Sequence, residues 1–155
     1  MVNPGLDIVE LMILRGVDGT IKGHPAFNQA LYASSPRLHA IEVRLYCENP
    51  AAQFKPCPGV LQQVEFPQED WVRVESWVET GTTITPYYDP LACKLIVTGS
   101  SRHEAVERLS EILLKTKMHG PPTNLQYLRA ICASDVFCAG NATTTYLDTF
   151  YFTPR

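Results

Sequence analysis

Glu42 and Arg44 stand two residues apart in an alternating stretch, His39-Ala40-Ile41-Glu42-Val43-Arg44-Leu45-Tyr46. The alternation puts Glu42, Arg44 and Tyr46 on one face of a strand and Ile41, Val43 and Leu45 on the other. A guanidinium presents a planar fork of donors suited to carboxylate, bicarbonate or phosphate oxygens. The same residues on a solvated strand make an ordinary surface ion pair, contributing about 0–1 kcal/mol, and periodicity alone favours that reading. In Pro86-Tyr87-Tyr88-Asp89-Pro90 an aromatic pair and a carboxylate lie between two prolines that restrict the backbone. This segment either aims Asp89 at a partner or closes a turn in which Asp89 bonds the nearby backbone. Lys94 interrupts an apolar run over residues 91–97. Its ammonium either snorkels to the edge, the reading favoured here, or meets a carboxylate, because a buried charge is costly unless paired.

No other residues complete a catalytic set. His24, His39, His103 and His119 are scattered without ligand spacing, and Cys47, Cys57, Cys93, Cys132 and Cys138 follow no zinc-ribbon or CxxC pattern, so no metal site is assigned. GxGxxG, Walker, HExxH and GxSxG motifs are absent. By residue type alone, the chain contributes to a site without forming one.

The elements that must position these residues read as an α+β domain, an antiparallel sheet packed with helices. Asp7 can cap a core-facing helix with Ile8, Leu11, Met12 and Leu14, stopped by Gly16. Residues 16–37 read as a connector with one loose turn at Phe27, Leu31 and Tyr32. After the strand at 39–46, residues 54–59 make a rigid Pro-Gly turn. Strands at 60–66 and 71–79, joined by Pro67-Gln68-Glu69-Asp70, are expected to pair as an antiparallel hairpin. Ser101 and Glu104 form an S-x-x-E capping box opening a helix with Val106, Leu109, Ile112 and Leu113 inward and Gly120 after its end. Thr123 and Gln126 repeat the pattern for a helix through Ile131, and a short helix is expected around residues 144–150.

With 155 residues, 45% hydrophobic and 19% charged, the chain is long enough to hide about 70% of its unfolded surface. That composition excludes a disordered tail or a collagen-like repeat, and no uncharged run approaches the ~18 residues of a membrane span. A net charge of −3 gives no basic footprint, so neither nucleic acid nor an anionic membrane is an expected partner. The five thiols read as reduced and mostly buried. No secretory signal opens the chain, so a cytoplasmic location is expected.

Several motifs in order closely resemble the C-terminal domain of biotin carboxylases. The run at residues 39–50, HAIEVRLYCENP, is similar to the family's HAIExRxYAExP, and FKPCPG at residues 54–59 to its FxPSPG. PYYDPLACKLI at residues 86–96 and Thr123-Asn124 continue the likeness, which covers about residues 4–153. The opening NPGLDIVE at residues 3–10 resembles the segment just after the family's QVEH loop. WVETGTT at residues 77–83, TNLQYLRAI at residues 123–131, SDVF at residues 134–137 and LDTFYFTP at residues 147–154 look most like the urea carboxylase part of fungal urea amidolyase. Leu38 stands where glycine usually precedes the histidine, and Cys57 replaces the serine of PSPG.

The resemblance implies an enzyme that uses ATP and Mg2+ to activate bicarbonate as carboxyphosphate, then carboxylates N1 of biotin on a carrier domain. A carboxyltransferase domain would pass the carboxyl group to urea. Arg44 matches the family arginine lying against biotin and carboxyphosphate, where a fixed cation stabilises the enolate-like oxygen that develops as N1 loses its proton. Asp89 and Glu42 would support that arginine, Tyr88 would line the biotin pocket, and Thr144 aligns with a position lining the adenine pocket. Residues 1–38 would be the helix and connector leading out of an ATP-grasp domain, and residues 39–155 the biotin carboxylase C-terminal domain. The glycine-rich lid, nucleotide lysines and metal-binding glutamates are expected on that ATP-grasp part, so the chain alone is expected to be inactive and to hold no cofactor tightly. The alternatives are a non-catalytic interaction or homodimerisation module of the same fold, and a biotin carboxylase part of an acyl-CoA or pyruvate carboxylase.

Overall fold

The computed structural model describes residues 7–20 and 38–153. The loose turn expected at Phe27, Leu31 and Tyr32 lies outside them. In the first described segment, helix α1 spans Ile8–Asp18. Asp7 caps it as the sequence predicts, its carboxylate accepting from the backbone N–H of Val9 and Glu10 at 2.9 and 3.0 Å. The helix continues past Gly16 and stops at Gly19, whose φ of 69° is the left-handed conformation that closes helices. It is not core-facing as expected. Ile8, Val9, Met12, Ile13 and Val17 are exposed and only Leu11 is buried, because the apolar residues run around the helix instead of forming one stripe.

The remaining elements build the expected antiparallel α+β domain. Strand β1, His39–Tyr46, pairs with β8, Leu91–Gly99, which pairs on its other side with β6, Val72–Ser76. β1 is therefore an edge strand and β8 the centre. Val43, Leu95 and Val74 stand in one row across this sheet, as do Ile41, Val97 and Val72. Helix α2, Arg102–Lys115, packs against β8 and β1 and buries Val106, Leu109, Ile112 and Leu113, as its periodicity predicts. Leu45, Leu61, Leu95, Leu109, Ile112 and Leu113 form the fully buried centre of the core.

The capping box of α2 forms with one change. Ser101 Oγ accepts from the N–H of Glu104 at 3.1 Å, but the Glu104 carboxylate reaches back one residue further, to the N–H of Ser100 at 2.6 Å. The helix closes at Thr116, whose hydroxyl and N–H both donate to the Ile112 carbonyl. The chain enters strand β9, Lys117–His119, before it meets Gly120.

The hairpin expected between residues 60–66 and 71–79 does not form. Its first arm divides around buried Leu61: β4, Gly59–Val60, pairs with β7, Thr83–Ile84, and β5, Gln63–Glu65, pairs with β9. Its second arm pairs with β8. A four-residue link fixes that the two arms are close, whereas pairing is decided by where apolar faces are buried, and Val72 and Val74 pack onto the core only beside β8. Within the Pro-Gly turn, β3, Lys55–Pro56, pairs back with β2, Glu48–Asn49, which precedes the turn, and the chain reverses through positive φ at Gln53 and Phe54. Helices α3, Leu125–Cys132, and α4, Asp135–Cys138, follow, and the last expected helix is a 3-10 turn over Tyr146–Thr149.

Three glutamates titrate below the ordinary range for reasons visible in the fold. Lys117, then Gln63, lowers Glu65; Lys94 first lowers Glu75; Ser100 first lowers Glu104. A carboxylate with a depressed folded-state pKa contributes stability above its unfolded pKa and loses it as pH falls through the folded value. The urea midpoint should therefore decline as pH falls from 6 through the carboxylate range; a midpoint flat across that range would contradict these pairings.

Candidate functional site

Arg44 and Glu42 lie on the outer face of β1, the face opposite Leu45. Arg44 Nε donates to Glu42 Oε1 at 2.9 Å, with the side chains 58% and 40% exposed. The ion pair runs along one strand, as the two-residue spacing allows, instead of crossing between strands. The Glu42 carboxylate, and after it the Tyr46 hydroxyl, hold the guanidinium firmly in its charged form. Nε is thus engaged by Glu42, and the Arg44 side chain as a whole stays more than half exposed.

The same face carries a row of charge. Arg44 stands opposite Lys94 on β8, and Lys94 stands opposite Glu75 on β6. Lys94 pairs with Glu75, which in turn binds Arg73, so a carboxylate meets this lysine instead of the snorkelling expected. The partner was hidden in sequence because Glu75 becomes its neighbour only through the strand order. Pairing Lys94 with Glu75 leaves Glu42 to Arg44.

At the C-terminal end of β1 the chain gathers more polar groups. Asn124, 5% exposed, donates from Nδ2 to the Arg44 carbonyl at 3.1 Å and accepts at Oδ1 from the Tyr46 N–H at 3.0 Å. Its own N–H donates to the Tyr46 carbonyl at 3.1 Å. These bonds explain why the T-x-x-Q cap fails to form. Asn124 occupies the N-cap position of α3 without a side-chain cap bond, and Thr123 Oγ1 accepts only a 3.5 Å contact from the Leu125 N–H. In the sequence Thr123-Asn124 stands only within a capping pattern and a family resemblance, and neither marks Asn124 as a site residue.

Glu48 is the second residue missed. Burial raises its pKa, the Asn124 amide opposes that rise, and the nearby charge of Asp89 adds to it. Asp89 is thus placed near this end of β1, where the Cys47 N–H also donates to the Pro90 carbonyl at 3.0 Å. Its own hydrogen bond is local: Asp89 Oδ1 accepts from the Leu91 N–H at 2.8 Å. Tyr88 is 83% exposed. Thr144 lies in an exposed stretch beside Thr143 and Thr145, whose hydroxyls are 3.2 Å apart. The structure brings Glu42 to Arg44 directly, while the charge of Asp89 acts on Glu48; no described contact joins Asp89, Tyr88 or Thr144 to Arg44.

The described site is thus an exposed, carboxylate-held arginine on the outer face of a small antiparallel sheet packed with helices. The chain belongs to the biotin carboxylase C-terminal domain family, whose model matches residues 42–149. It is similar to a putative urea carboxylase of Emericella nidulans, 40% identical over 152 residues that cover 96% of this chain and 12% of that protein. The crystal structure of Kluyveromyces lactis urea carboxylase is 38% identical with a TM-score of 0.81, covering 99% of this chain and 13% of that one. The biotin carboxylase domain of Hydrogenobacter thermophilus 2-oxoglutarate carboxylase, a dimer in complex with MgADP, ADP and bicarbonate, is 35% identical with a TM-score of 0.69. That likeness covers 70% of this chain and 24% of the relative. The chain thus spans about an eighth of the length of the E. nidulans relative.

The thiols separate by environment. Burial pushes Cys47 up to about 11 and Cys93 up to about 12, each helped by a neighbouring cysteine, and burial also raises Cys132. Cys138 is exposed and Cys57 half-buried. At pH 8 a thiol titrating at about 11 is ionised to about one part in a thousand, and only the thiolate reacts. Iodoacetamide at pH 8 should label Cys138 and Cys57 first and Cys47, Cys93 and Cys132 only on unfolding, as read by peptide mass; early label on Cys93 would contradict the packing.

Proposed function

We propose that this chain is the C-terminal part of a biotin carboxylase unit in a urea carboxylase, and that Arg44 serves the carboxylation of biotin there. The observation that carries this reading is the exposed guanidinium of Arg44, tied through Nε to Glu42 on the outer face of β1. Biotin, when bound, supplies the ureido nitrogen that takes up and passes on the carboxyl group. Arg44 fits it: a planar, permanently charged fork that is more than half exposed suits an oxygen that gains negative charge as that nitrogen gives up its proton. Glu42 keeps the fork from swinging, Asp89 supports it from the end of β1, Tyr88 offers an apolar wall and Thr144 contacts the nucleotide.

Among the described residues no three His, Cys, Asp or Glu side chains gather as a metal site. Mg2+, ATP and bicarbonate would be held mainly by an ATP-grasp domain that residues 1–38 lead out of, with residues 39–155 closing the site; the complex of the H. thermophilus domain is what supports that cofactor set. A biotin carrier domain and a carboxyltransferase domain would deliver biotin and transfer the carboxyl group to urea, in the cytoplasm, with homodimerisation as a further association.

The test is made on the biotinylated holoenzyme, the larger carboxylase carrying this chain. ATP cleavage should require bicarbonate, rise with urea and be blocked by avidin, while the isolated 155 residues cleave no ATP. Avidin-insensitive cleavage, activity in the isolated chain, or a neighbouring sequence without an ATP-grasp segment would each overturn the reading.

A further inference from the structure

We propose that Asn124 is the positioning residue that sets the direction of Arg44. The inference rests on the reading of Arg44 given above. Among the described residues β1 is an edge strand, paired only with β8, and its register against β8 shifts between Leu45 and Tyr46. An edge strand leaves a row of backbone N–H and C=O groups without a ladder partner. At Arg44 and Tyr46 that row is completed from across the fold, because residues 44 and 124 are 80 positions apart in sequence. The Asn124 side-chain amide, donor on one atom and acceptor on the other, takes the place of the peptide group of a missing strand. It receives the Tyr46 N–H at Oδ1 and gives Nδ2 to the Arg44 carbonyl, while its own backbone N–H closes onto the Tyr46 carbonyl.

Three bonds thus converge on the two residues that matter on the outer face. Arg44 carries the fork and Tyr46 carries the hydroxyl that lies beside it. The Arg44 side chain is more than half exposed and is held otherwise only by Glu42 among its described ion pairs, so its aim depends on the backbone that bears it. Asn124 is buried and makes no cap bond for its own helix, although asparagine is among the best N-cap residues. Its amide is committed to β1 in preference to α3. Glu48, within reach of the same amide, restrains it further.

The experiment compares Arg44→Ala, Asn124→Ala and the double variant in the biotinylated holoenzyme, with Leu125→Ala as a control for lost packing. Leu125 is buried at the start of the same helix. Turnover is read per folded enzyme, with free biotin and ATP varied separately. Asn124→Ala should lower kcat for biotin carboxylation by about tenfold to a hundredfold, the scale expected when a catalytic group is displaced by about 1 Å, and leave KM for ATP unchanged. In the Arg44→Ala background it should add almost nothing, because the group it positions is gone. Leu125→Ala should leave kcat per folded enzyme unchanged. Should Asn124→Ala not fold, Asn124→Asp carries the same comparison, since it keeps the acceptor for Tyr46 and sets a carboxylate oxygen against the Arg44 carbonyl. If Arg44→Ala leaves turnover unchanged, the reading of the site itself fails. If Arg44→Ala cuts turnover while the Asn124 variants keep kcat, or lower it equally in both backgrounds, the positioning role is overturned.

Discussion

Arg44→Ala in the biotinylated holoenzyme should lower kcat for biotin carboxylation by about 10²–10³-fold, the loss typical of removing one preorganised donor at a developing negative charge. The change should leave folding intact, because the side chain stands on the outer face of β1 and contributes nothing to the core. Its principal bond, to Glu42, is an exposed pair worth little to stability. KM for ATP should change little, since in the proposed role the guanidinium serves biotin and not the nucleotide. Arg44→Lys should recover only part of the loss: an ammonium keeps the charge but has no fork, so it cannot hold Glu42 through one nitrogen while offering two others. Glu42→Gln should cost less than either, because a carboxamide oxygen still accepts from Nε while the charge that steadies the fork is gone. Steady-state kinetics with free biotin and an avidin control order these variants. An Arg44→Ala enzyme that carboxylates biotin at the unmodified rate would remove Arg44 from the site.

How far this site was readable depends on the range of each interaction. β1 and α2 are legible because strict alternation and a capping serine with periodic apolar residues are local signals. The Glu42–Arg44 pair follows from the same alternation, which needs no knowledge of any other strand. The pairing of residues 60–66 was not legible, because Leu61 turns into the core and splits that stretch between β7 and β9. Lys94 and Glu75 meet only after β6 has docked on β8, and Asn124 finds Arg44 only after α3 has docked beside the edge of β1. A threonine three residues before a glutamine reads locally as a cap, and that signal gives way when the intervening asparagine is drawn into a bond with a strand 80 residues away. The exposed apolar residues of α1 show the reverse case, in which the local pattern is helical but does not say what the helix packs on.

Among the described glycines, Gly120→Ala should be the most destabilising methyl addition, for two separable reasons. Gly120 has φ of 134°, a conformation that side chains rarely adopt, so any substitution there carries strain of the order of 1–3 kcal/mol. A Cβ at this position would also lie 2.3 Å from the Val60 carbonyl oxygen and 3.2 Å from Gln62 N and Leu61 Cα. All three are backbone atoms of the segment between β4 and β5, and that segment is anchored by the Gln62 N–H donating to the His119 carbonyl at 2.8 Å. Neither side can yield without breaking the β5–β9 pairing. Gly81→Ala separates the two causes: φ there is 95°, yet nothing lies within 4 Å of its Cβ, so it should show the strain alone. In a domain of this size 1 kcal/mol corresponds to about 2–4 °C in Tm, so Gly120→Ala, with clash added to strain, should lose several degrees more than Gly81→Ala. Equal losses at the two positions would mean that the approach of residue 120 to β4 is not close. Because Gly120 lies four residues before Asn124, the same substitution should also lower biotin carboxylation in whatever fraction stays folded, coupling the backbone contact between residues 120 and 60 to the aim of Arg44.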